Sequence, residues 1–287
     1  MSHRKPVILA LFLLGAVSMM AQPVRVYSEF QRINPFGQVV EIDKAARPRE
    51  VLSPAVIRNG NSGFHLAITA RPGTTFSLHL GQNPENAAGV TVYREIFVQS
   101  GKDWIPDGLE KISLPFDGQI GSDGIPGQTT AVFWLDVRLA DDAPVRRIKV
   151  EPQVWMAEHW VPYPMEVRVV KARVPKAAHA SGPLPRLEER ADAPLLAPLR
   201  SYVCGTEPHT FPGKGSLNVR GLVRRGVEQD LMLARALENK AGRDAVIKTL
   251  LRHAGAATEA EFCGTAAPGR DAEWYLRFRD YLLRESD

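Results

Sequence analysis

The chain has 287 residues, 44% of them hydrophobic and 24% charged, with a formal net charge of +4 and two cysteines. This composition excludes a disordered chain, a disulfide-built miniprotein and a collagen-like repeat, and leaves a globular protein long enough for about two domains. Half of the formal charge lies in Arg4 and Lys5, so the basic balance carries little weight and no nucleic-acid partner is expected.

Behind Arg4 and Lys5, Val7 to Val17 forms an apolar run, with small residues at Ala16, Ser18 and Ala21. A positive start, a short apolar stretch and a small-residue end describe a secretory signal peptide over residues 1–21. The run is shorter than the about 20 apolar residues that a spanning helix needs. Export to the periplasm or the extracellular space is expected, with no membrane span after cleavage.

Residues 22–170 carry the marks of short strands: alternation with period two, β-branched and aromatic residues, and Gly, Pro, Asn or Asp at regular intervals. Phe64, Leu66 and Ile68 share one face, and Phe76, Leu78 and Leu80 repeat the pattern after the turn Arg71 to Thr74, which reads as a hairpin. Further runs cover 90–98, 109–114, 130–139, 145–150, 153–160 and 165–170. With no helical period between them, the expected fold class is mainly β, an antiparallel immunoglobulin-like β-sandwich, since parallel strands need long crossovers.

Residues 171–200 hold Pro175, Pro183, Pro185, Pro194 and Pro198 and read as a proline-rich linker or strap. Residues 201–287 form a small α-helical domain. Val227, Leu231, Ala234 and Leu237 line one helical face from about Gly226, a second helix runs from Arg243 to Ala254 with Gly255 as its cap, and a third starts near Asp271. Thr258 and Glu261 match a capping box. Cys204 and Cys263 are the only cysteines, and in an exported protein they are expected to pair, which helps a domain this small. A metal would need two more ligands, and His209 and His253 give no compact zinc spacing, so no metal is expected.

The chain has no G-x-S-x-G, H-E-x-x-H, Walker or dinucleotide-binding motif. Phe211 to Ser216 lacks the upstream glycine of a phosphate loop and reads as a turn. No catalytic residue and no cofactor is therefore assigned. Two carboxylates, Asp136 beside Trp134 and Glu158 between two tryptophans, are the available pair for glycoside hydrolysis, which requires them to flank one bond. Asp117 and Asp123, in a segment rich in glycine, read as an ordinary turn rather than a calcium loop. Trp155, Trp160 and Tyr163 form the aromatic cluster most suited to binding, because flat indole and phenol faces stack on sugar rings and anchor protein interfaces.

From Trp134 through the turn Asp141-Asp-Ala-Pro144 to Val150, the chain resembles the strand-turn-strand segment of immunoglobulin-like accessory domains of secreted bacterial hydrolases. It departs from them at Arg146 and Arg147, where such segments continue with Gly and Tyr. The resemblance implies a sandwich and brings no catalytic domain with it.

Three functions follow as expectations. The first is an exported non-enzymatic binding protein whose sandwich recognises an envelope protein or a polysaccharide. The second is a small secreted glycoside hydrolase using Asp136 and Glu158. The third is a structural or assembly protein of the cell envelope, paired through an exposed strand edge near Gln38 to Ile42.

Overall fold

The computed structural model describes residues 22–44, 52–82, 87–175, 193–205, 218–264 and 273–286. The expected signal peptide, most of the expected strap and the Phe211 to Ser216 turn lie outside them.

The protein is mainly β with a C-terminal helical region. Its strands are β1 (Val24–Ser28), β2 (Ala55–Arg58), β3 (Asn61–Thr69), β4 (Thr75–Gln82), β5 (Ala88–Ser100), β6 (Asp103–Ile112), β7 (Phe116–Gln119), β8 (Thr130–Leu139), β9 (Arg147–Met156), β10 (His159–Pro162) and β11 (Glu166–Arg173). One sheet has the order β1-β3-β8-β5-β6, and the second has β2-β11-β9-β4-β7 with β10 added on β9. Pairing is antiparallel except between β2 and β11, which run parallel.

The expected hairpin across Arg71 to Thr74 is not formed. β3 pairs with β1 and β8, whereas β4 pairs with β9 and β7, so this turn carries the chain from one sheet to the other. The alternation was right about faces: Phe64, Leu66 and Ile68 meet Phe76 and Leu78 in one core between the sheets. The hairpin partners are instead β5 with β6 and β9 with β10.

The two sheets differ in what covers their outer faces. β8 is buried at nearly every position from Val132 to Val137, the mark of a strand covered on both sides, while β9 alternates between buried and open positions. The cover on the first sheet is helical: α1 (Ala193–Cys204), α2 (Val219–Ala241), α3 (Arg243–Ala254), α4 (Glu259–Gly264) and α5 (Glu273–Glu285). α2 packs on β3 and β6 of this sheet, and α5 reaches β11, at the β2–β11 end of the second sheet, whose β9–β4–β7 part stays open. Trp134, on the outer face of β8, joins Phe30, Ile57 and Ala172 in one apolar cluster with Leu222, Val227, Tyr275 and Phe278. Gly63 on the neighbouring strand lies against this indole, and a β-carbon there would fall 1.8 Å from the Trp134 ring.

The helical region begins earlier than periodicity suggested, while α3 spans the expected Arg243 to Ala254. α1 occupies the end of the expected strap despite Pro198, because Leu195, Leu196, Leu199, Tyr202 and Val203 bury against the cluster and outweigh the helix penalty of proline. α2 starts at Val219 rather than near Gly226, since the Asn218 side chain accepts a 2.8 Å bond from the Gly221 amide and caps the first turn. Gly255 closes α3 in the left-handed region, and Thr258 Oγ1 accepts from the Glu261 amide at 3.1 Å as the capping box requires. Cys204 and Cys263 form a disulfide joining α1 to α4. No described helix is long and apolar enough to cross a membrane.

Charged groups are also buried between sheet and helices. Arg279 of α5 donates to Glu29 at 2.8 Å and lies 3.3 Å from Asp230 of α2, which accepts from the Tyr275 hydroxyl at 2.5 Å. Burial alone would lower the Arg279 pKa, but Asp230, Tyr275 and Glu29 outweigh it and raise it above the ordinary value. Burial, reinforced by Asp230, pushes the Tyr275 hydroxyl well above the usual range.

Candidate ligand-binding site

The site lies on the uncovered sheet and begins at the β9–β10 hairpin. His159 pairs with Met156, so the turn has two residues, Ala157 and Glu158, with φ of 48° and 63°. Both central positions of such a turn need positive φ, and Asn-Gly is the usual solution. An alanine and a glutamate there hold a backbone that costs about 1–2 kcal/mol per residue.

The turn sets Trp160 directly across from Trp155, and Trp155 pairs in turn with Ser77 of β4, which pairs with Asp117 of β7. Asp117, Ser77, Trp155 and Trp160 thus stand in one transverse row on the outer face. With strands about 4.8 Å apart, the row spans about 14 Å. Trp155 and Trp160 are 40% and 50% exposed, high values for tryptophan, and their ring centroids are 5.4 Å apart in an edge-to-face arrangement. His79 supports them: its ring lies 4.9 Å from that of Trp160, and its Nε2 is 3.1 Å from Ser77 Oγ.

A cleft of about 730 Å³ opens beside the row along edge strand β7. Trp155, Ser77, Ala157 and Glu158 line its outer part, and Phe76, Phe116 and Phe133 its apolar part. Its charged lining residues are Arg94, Asp117, Asp123 and Glu158. Arg94 of β5 is ion-paired with Asp123, which also accepts from Gln128 Nε2 at 2.5 Å. These partners occupy Asp123, and no cluster among the described residues has the makings of a metal site.

Of the residues singled out in the sequence, Trp155, Trp160 and Glu158 come together here. Tyr163 does not: it is buried in the core between the sheets. Asp136 lies on the other sheet, on the face covered by α2, where its Oδ1 accepts from Arg225 Nη2 at 2.6 Å. Asp136 and Glu158 therefore belong to different sheets and line different cavities. The segment Gln38 to Ile42 forms no strand; Val40 donates to the Arg32 carbonyl at 2.9 Å, and the Arg32–Asp43 ion pair closes the loop on itself. Sequence reasoning missed Ser77 and His79, whose only local mark is that they occupy the polar positions of an alternating strand.

No family model matches the chain, and no curated protein matches it. Among solved structures, a family 123 glycoside hydrolase from Clostridium perfringens aligns with 53% of this chain and 28% of its own at 12% identity and a TM-score of 0.36. Domains 4 and 5 of the S-layer protein SbsC align with 42% of this chain and 48% of their own at 9% identity and a TM-score of 0.22. A non-cellulosomal cohesin from Archaeoglobus fulgidus aligns with 42% of this chain and 88% of its own at 11% identity and a TM-score of 0.24. The chain thus spans about a quarter of the first structure and about half of the second, and likenesses of this size carry no argument about activity.

Proposed function

We propose that this is an exported binding protein whose uncovered sheet recognises a polysaccharide. The observation that carries the reading is the exposed Trp155–Trp160 pair, of which Trp155 lines the cleft. Indoles on an open sheet offer large apolar faces at little conformational cost, and the C–H faces of sugar rings pack on them while hydroxyls reach nearby polar groups. Ser77, Asp117 and Glu158 supply such groups on the same side. The two tryptophans and the strained turn that positions them have no role in the core, which supports a functional origin.

Export is supported by the Cys204–Cys263 disulfide, which persists in oxidising compartments. Within this reading the sandwich is an immunoglobulin-like accessory module, with the helices stabilising its back face. Binding is preferred to glycoside hydrolysis because Asp136 is engaged by Arg225 on the opposite sheet from Glu158.

The test is a screen of residues 22–287 on a polysaccharide array beside a pull-down from envelope extract. Retention on a defined glycan, lost in Trp155→Ala or Trp160→Ala, is the expected result. A specific protein partner with no glycan signal would move the function to envelope assembly.

A further inference from the structure

The charge around the platform narrows the ligand class. The cleft is lined by three carboxylates, Asp117, Asp123 and Glu158, against one cation, Arg94, and that cation is already paired with Asp123. Asp117 and Glu158 are both exposed and form no ion pair among the described residues. They flank the indoles from two sides. Asp117 closes the transverse row through Ser77, and Glu158 is held beside Trp155 by the turn.

An anionic ligand would meet uncompensated negative charge here, and a neutral one can bond the two carboxylates through hydroxyls but leaves their charge uncompensated. A ligand carrying ammonium groups satisfies them. It also gains from the indoles, because a cation over the face of tryptophan is attracted by the ring quadrupole. A neutral sugar offers Glu158 hydroxyl donors alone, whereas a cationic one also offsets its charge.

Resting on the platform reading above, we propose that the site selects a positively charged amino polysaccharide, a polymer containing free glucosamine-type amines, which stacks on Trp155 and Trp160 and pairs with Asp117 and Glu158.

The experiment is calorimetric titration of residues 22–287 at about pH 6, where such amines are protonated, with three β-1,4-linked hexamers of equal length: glucosamine, N-acetylglucosamine and glucose. An oligolysine peptide serves as the fourth probe. The glucosamine hexamer should bind at least about tenfold tighter than either neutral hexamer at low salt, and added salt should shrink this advantage. The isosteric double variant Asp117→Asn with Glu158→Gln should remove the advantage, so that the glucosamine hexamer binds no tighter than the neutral ones, whereas Trp155→Ala should abolish binding of all three. Equal affinity for the three hexamers would overturn the charge inference and leave the platform reading standing. Binding of oligolysine with no sugar binding would overturn both in favour of a basic peptide, and no binding by any probe would overturn both outright.

Discussion

The guanidinium of Arg279, on the last helix, donates to the carboxylate of Glu29, just past the first strand, across 250 residues of sequence and with both side chains buried. This contact ties the helical layer to the sheet it covers. Removing one partner of a buried pair leaves an uncompensated charge, which costs about 3–5 kcal/mol. Arg279→Met should therefore destabilise the whole protein by that amount in urea unfolding, with sandwich and helices melting together. Loss of the helical signal alone, with the sandwich transition unmoved, would show that the layers are independent.

The disulfide makes a second contribution. Cys204 and Cys263 are separated by 59 residues, and closing a loop of that length restricts the unfolded chain by about 4 kcal/mol on the chain-entropy estimate. The double variant Cys204→Ser with Cys263→Ser should lose a similar amount of stability while keeping its far-ultraviolet circular dichroism. A loss below about 1 kcal/mol would mean that packing of α1 against α2 already holds this region.

The strained turn makes stability and binding diverge. Replacing Ala157 by Asn and Glu158 by Gly supplies the residues that positive φ favours, so the variant should gain about 1–2 kcal/mol in unfolding free energy. The same variant loses the Glu158 carboxylate, and its affinity for the ligand should fall. Thermal unfolding and titration on one sample check both. A variant that neither gains stability nor loses affinity would contradict the assigned role of the turn.

His253, near the end of α3, provides a pH test. Partial burial first, then Arg252, Arg277 and Arg284, hold its imidazole below the ordinary range, with Asp280 opposing them. Because the folded value is lowered, the unfolded chain takes up the proton first as pH falls. The contribution is present above about pH 6.5 and is lost as pH drops toward the folded value. His253→Gln should flatten this part of the stability curve, read as urea midpoints between about pH 5 and pH 8. An unchanged slope would place the titration elsewhere.

The strands were legible in the sequence because alternation reports which side chains share a face, as with Phe64 and Leu66. Their partners were not legible. The turn at Arg71 to Thr74 looks like a hairpin, but hydrogen-bond partners are chosen across the whole sheet, and β3 and β4 chose different sheets. The continuous burial from Val132 to Val137 did have a sequence signal, since apolar Val132 and Trp134 interleave with Phe133 and Leu135, as in a strand covered on both sides. That cover comes from helices more than 50 residues away, and no local pattern names it. The candidate site shows the same limit. Trp155 and Trp160 stand out by residue type, whereas Ser77 and Asp117 join them only through register, and Tyr163 leaves the cluster because its ring turns into the core.

Tryptophan emission tests the platform most directly. Trp155 and Trp160 are exposed, Trp104 is half-buried, and Trp134 and Trp274 are buried, so acrylamide quenching weighs toward the candidate site, and a Trp104→Phe background removes the remaining partly accessible ring. Titrating residues 22–287 with the glycan retained on the array should shield this emission from quenching, with the same midpoint as calorimetry. Trp155→Ala and Trp160→Ala should each abolish both signals, while Trp134→Phe should leave the binding midpoint unchanged. Binding that proceeds with full affinity in both surface variants, or without shielding in the wild type, would contradict the assignment of the uncovered sheet as the ligand-binding face.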